Sequence, residues 1–89
     1  MPTIAIFYGI QVFMYFYDNN KHNVPHIHAE YQEFEASFSI ERGELLAGEF
    51  PRKQTRLLQA WIEIHKEDLM LDWKLAINGQ EPLKIDPLR

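Results

Sequence analysis

The residues best placed to do chemistry are His26, His28 and Glu30, which alternate along the short segment that follows Pro25. On a β-strand, alternate side chains share a face, with Cα atoms about 6.5–7 Å apart. Two imidazoles and a carboxylate so arranged could hold one divalent metal ion, as a two-histidine, one-carboxylate site does. They could also act as general acid and base in cleaving a phosphodiester. Asp18 and His22, in the preceding loop, could contribute. The plainer alternative is a pair of outward polar side chains on a half-solvated hairpin, because His-x-His arises easily by chance.

His65 is a third candidate for acid–base work. It lies on an apolar helical stripe one turn from Trp61, so it is either a hydrogen-bonded core residue or a third imidazole that meets the sheet pair. If the helix covers the Ile27/Ala29 face, His65 cannot reach His26 or His28. Arg52, Lys53 and Arg56 pose a different problem, since cations in the first turns of a helix oppose its dipole. With the free backbone N–H groups there, they could form an anion-binding corner for phosphate, RNA or an acidic partner. The alternative is a solvated basic face offset by Glu49 and Glu63.

These side chains need elements to hold them. From Ile4 to Tyr17 the chain is dense in strand formers, with Gly9 as the only breaker; strands are expected at about 4–8 and 10–17. In the second, Phe13, Tyr15 and Tyr17 alternate with Val12, Met14 and Phe16, so both faces are apolar. His26 to Tyr31, a tight turn at Gln32-Glu33, and Phe34 to Ile40 alternate as an antiparallel hairpin. A short strand, Glu44 to Gly48, follows. Pro51 suits a helix start. Leu58, Ile62, His65, Leu69, Trp73 and Ala76 then recur at helical spacing until Asn78-Gly79 stops the helix. A continuous helix of that length would run about 40 Å at 1.5 Å per residue. A kink or break is therefore expected near His65–Asp68. Leu83, Ile85 and Leu88 make the tail an extended clip.

The fold class that follows is α+β: a small antiparallel sheet of four to five strands against one kinked or two short helices, then a C-terminal extended segment. All 89 residues form one domain. One helical layer covers one sheet face, so Phe13, Tyr15 and Tyr17 are candidates for a homodimer interface or a small protein partner's surface. Trp61 and Trp73, on the in-phase stripe, read as core.

Composition narrows the function. Hydrophobic residues make up 46% of the chain, enough for a core, and cysteine is absent, which excludes disulfides, thiolate zinc sites and a cysteine nucleophile. That fits a reducing, cytoplasmic setting. No run approaches a membrane span, and the apolar start lacks the basic residues and cleavage site of a secretory signal. Net charge is -4, so RNA is not indicated by the overall balance and stays open only for the local basic corner. No phosphate-binding loop of the Walker type, serine elbow or His-Glu-x-x-His segment is present.

One resemblance runs along nearly the whole chain. Pro2-Thr3-Ile4, Phe7-Tyr8-Gly9-Ile10, Met14-Tyr15, Asp18, Pro25-His26-Ile27-His28-Ala29, Gly43-Glu44, Gly48, Pro51, Ala60-Trp61, His65, Leu69, Trp73 and Lys84-Ile85-Asp86-Pro87-Leu88 come in this order. In these pieces the chain resembles a bacterial family catalogued as domain of unknown function 4160. The resemblance carries no established activity. It implies a small component of a toxin–antitoxin-like gene pair that acts through protein partners. The other function class is a histidine-based nuclease or metal-binding enzyme built on the His-x-His-x-Glu strand.

Overall fold

The computed structural model describes residues 2–18 and 24–89. His22, one of the loop candidates, lies outside the described residues. Five strands follow one another, β1 Thr3–Phe7, β2 Ile10–Phe13, β3 His26–Tyr31, β4 Phe34–Ser39 and β5 Leu45–Glu49, and then two helices, α1 Arg52–Ile64 and α2 Lys66–Ile77. The strands pair in chain order, every neighbour antiparallel. The fold is the expected α+β arrangement, with the sheet in the N-terminal half.

Tight turns set this register. Phe7 pairs with Ile10 across Tyr8 and Gly9, both at positive φ (49° and 79°), which is the two-residue hairpin geometry that matches strand twist. Tyr31 pairs with Phe34 across Gln32-Glu33. At Gly48, opposite Ala36, φ is +85° and a Cβ would run into the Glu35 carbonyl. Only glycine lets β5 approach β4 there.

The register sorts the side chains. Ile10, Val12, Ile27, Ala29, Ala36 and Phe38 join one core with Leu58, Trp61, Ile62, Leu69, Trp73 and Ala76 of the helices. The Ile27/Ala29 face is thus the covered one, and the opposite face carries His26, His28 and Glu30. Phe7 and Trp61 pack with ring centroids 5.2 Å apart.

The helical stripe breaks at His65 (φ −109°, ψ 22°), which ends α1 and begins α2. The backbone bonds His65 N–H to the Trp61 carbonyl and Leu69 N–H to the His65 carbonyl span the joint. A straight helix would exceed the 32 Å longest extent of the molecule, so the break keeps both apolar stripes on the sheet. The tail then lies along β1, where Ile85 N–H donates to the Ile4 carbonyl and the Trp61 indole donates to the Asp86 carbonyl at 2.7 Å.

β2 is shorter than its composition suggests. It ends at Phe13, because the chain leaves the ladder to wrap around the sheet end. Met14 N–H donates to the Pro2 carbonyl, and Tyr17 N–H to the Ala76 carbonyl at the end of α2. Of residues 14–17, only Met14 is buried, and Tyr15, Phe16 and Tyr17 are exposed along this wrap rather than set on two covered faces of a strand.

Candidate metal centre

β3 aims His26 and His28 at the same side, and the wrap that follows β2 brings Asp18 over them. Asp18 Oδ2 lies 2.8 Å from His26 Nε2 and 2.7 Å from His28 Nε2. The three ligand atoms lie within 4.8 Å of one another. On the far side of the His26 ring, Nδ1 lies 2.7 Å from the Val24 carbonyl oxygen. A carbonyl oxygen only accepts, so Nδ1 carries a proton and donates it.

That bond has a consequence for Nε2. With its proton on Nδ1, a neutral His26 offers Asp18 a lone pair, and an ionised carboxylate also offers lone pairs. Two acceptors at 2.8 Å need a proton or a metal ion between them, and such a proton sits either on His26 or on a neutral Asp18 carboxyl.

The walls around the cluster are aromatic. The His28 ring stacks on Phe13 at 5.6 Å and meets the edge of Tyr15 at 4.5 Å, while Trp73 lies 5.0 Å from the His26 ring. Side-chain exposure rises from 6% at His26 to 17% at His28 and 28% at Asp18, so solvent reaches the cluster from the Asp18 side. Partial burial, then the carboxylates of Glu35, Glu30 and Asp18, push the Tyr15 phenol above its ordinary range. It therefore stays a proton donor beside the site. A cavity of about 240 Å³ next to His26 is lined by Val24, Ser37, Leu46 and Ala47.

The other candidate residues lie elsewhere. Glu30 is paired across the strands with Gln11 and Glu35, and it is not one of the three residues that converge. It lies four residue steps along the strand from His26, roughly 13 Å at the strand's rise, too far for one ion. His65 sits in the helix joint with its ring 5.5 Å from that of Trp61, and does not join His26 and His28. Arg52, Lys53 and Arg56 line, with Leu57, a cavity of about 640 Å³ at the start of α1, where Pro51 gives no side-chain cap and no acidic residue stands in the first turn. Phe13 is wholly buried within its own chain, while Tyr15 and Tyr17 are exposed by 37% and 58%.

A family model described as Domain of unknown function (DUF4160) matches residues 9–74. The chain belongs to this family. All three converging residues fall inside the DUF4160 match. Neither a curated protein nor a solved structure matches the chain.

Among the residues the sequence pattern underrates, Asp18 is chief. Its signal was its position at the near end of a polar loop that Pro25 closes, which lets it fold back over β3. The Val24 carbonyl carries no motif, and the helical stripe marks Trp73 as core without placing it beside His26.

Proposed function

We propose that Asp18, His26 and His28 form a divalent-metal site of the zinc type, and that the protein is a metal-binding enzyme or module rather than a metal-free histidine catalyst. The observation that supports this most is the His26 Nδ1–H bond to the Val24 carbonyl. Metal-ligating histidines commonly give their second ring N–H to a backbone carbonyl or carboxylate, which fixes the tautomer and leaves the other nitrogen's lone pair for the ion. Nitrogen and carboxylate ligands suit zinc at about 2.0–2.2 Å. Seating the ion requires Asp18 Oδ2 to draw back from the two imidazoles by about half an ångström, to roughly 3.3 Å in tetrahedral geometry.

Three protein ligands leave the fourth position for water, the pattern of catalytic rather than structural zinc. That position opens on the Asp18 side, where solvent reaches the cluster. Water activated there is suited to hydrolysis, with a phosphodiester as the substrate class to try first. The second reading, a module that acts through protein partners, is favoured by the exposed aromatic side chains of Tyr15 and Tyr17. No residue contact argues specifically for a toxin–antitoxin role.

Calorimetric titration of chelator-treated protein with zinc, manganese and nickel tests the proposal. One ion per chain is expected, with binding weakened at least tenfold in Asp18→Asn and in His28→Ala. Absence of binding by folded wild-type protein would overturn it. An RNA and DNA cleavage assay on the same proteins then decides between enzyme and module.

A further inference from the structure

The two edges of the sheet are treated differently by the fold. Along β1 the tail covers the edge, with Ile85 N–H on the Ile4 carbonyl and Lys84 Nζ on the Thr3 carbonyl at 3.0 Å. Along β5, the other edge, all five residues are exposed, including Leu45 at 47% and Leu46 at 42%. Among the described residues, β5 pairs with β4 alone. Edge strands of monomers are usually blunted by lysine, proline or a bulge, because their free N–H and C=O groups invite another strand. β5 contains neither lysine nor proline. It carries a bulge opposite Ser37 and Phe38 and a positive φ at Gly48, while the pairing from Ala47 to Glu49 stays in register with β4.

We infer that β5 pairs antiparallel with β5 of a second copy of this chain, joining the two sheets into one across a twofold axis. Charge selects this occupant. Glu41, Arg42 and Glu44 precede the strand, a net of −1, whereas Arg52, Lys53 and Arg56 follow it, a net of +3 that Glu49 at the strand end reduces to +2. Antiparallel pairing lays the acidic start of each strand beside the basic end of the other, and the twofold axis repeats the match. The cations that oppose the α1 dipole thereby gain an electrostatic partner. Leu46 and Ala47 also wall the cavity beside His26, and the mate's strand extends that wall. Only five residues per chain form the ladder, so the dimer is a weak one, populated at micromolar protein.

Sedimentation equilibrium across the micromolar range reads the outcome. Wild-type protein is expected to dimerise, and Leu46→Lys, which supplies the missing edge lysine at an exposed position, to remain monomeric with an unchanged circular dichroism spectrum. Arg52→Glu with Lys53→Glu should weaken the dimer, and adding Glu41→Arg with Glu44→Arg should restore it. A wild-type monomer throughout the range would overturn the inference, whether or not the edge takes a foreign strand. So would a dimer indifferent to Leu46→Lys, because that dimer would use another face, such as the one bearing Tyr15 and Tyr17. Zinc titration of the Arg52→Glu, Lys53→Glu protein, altered at the start of α1 and away from His26, should match wild type, which keeps this test separate from that of the metal site.

Discussion

His26 Nδ1 lies 2.7 Å from the Val24 carbonyl oxygen, and this bond determines what the opposite nitrogen of the ring can do. With the Nδ1 proton committed, Nε2 meets Asp18 Oδ2 at 2.8 Å through a proton or through a metal ion. The two occupants compete for the same place. Zinc affinity should therefore fall as pH is lowered, because ligation needs neutral imidazoles and an ionised carboxylate. Titrations at a series of pH values should also show protons released on binding. A pH-independent affinity without proton release would contradict ligation by these residues.

The Trp61 prediction concerns the core. Its side chain is fully buried, packs against Phe7, and ties down the tail through the Asp86 carbonyl. Trp61→Ala should cost about 3–5 kcal/mol, a large share of the stability of so small a domain. Trp61→Phe keeps much of the ring packing but loses the indole N–H, so it should cost less and loosen the tail. Urea denaturation gives the first quantity, and faster amide exchange at Ile85 checks the second.

Asp72 predicts a pH effect of unusual sign for a carboxylate. It is buried in α2, where Oδ1 accepts the Leu83 N–H at 2.9 Å and Oδ2 has no hydrogen-bond partner among the described residues. Burial raises its pKa, the Leu83 N–H opposes that rise, and Asp68 adds to it. A raised folded-state pKa means that the folded state binds more protons than the unfolded state just above the ordinary carboxylate range. This contribution to stability is therefore present in acid and lost as pH rises through the folded-state pKa. Asp72→Asn should remove that slope and gain on wild type toward neutral pH. Urea midpoints of the two proteins at several pH values measure it, and parallel profiles would contradict it.

At the start of α1, replacing Arg52, Lys53 and Arg56 together with glutamine should leave the monomer as stable as wild type. A gain of some tenths of a kcal/mol is expected, since each cation opposes the helix dipole. A denaturation midpoint measured at dilution, below dimerisation, checks this. A clear loss of stability would mean that these side chains hold the monomer together.

Much of this fold is legible from residue patterns. Alternation from His26 to Ile40 marks the hairpin, and the stripe from Leu58 to Ala76 marks helices too long to stay straight, with the break falling at His65. The end of β2 is not legible, because Met14 to Tyr17 have strand composition while their hydrogen bonds go to Pro2 and Ala76. The same wrap explains the site. Local spacing identifies His26 and His28, but nominates Glu30 from the same strand, whereas the third residue that converges on them is Asp18, through a fold-back that no periodicity encodes. Likewise, the carbonyl that sets the His26 tautomer belongs to the backbone of Val24, and backbone groups leave no mark in a sequence.

The most direct test of the metal site is X-ray absorption at the zinc edge of protein loaded with one equivalent of zinc. The structure predicts a first shell of about four nitrogen and oxygen atoms at roughly 2.0–2.2 Å. Two of them should show the outer-shell scattering of imidazole rings, and that signal should drop to one ring in His28→Ala. A zinc environment of oxygen atoms alone, without imidazole scattering, would contradict the assignment of Asp18, His26 and His28 as its ligands.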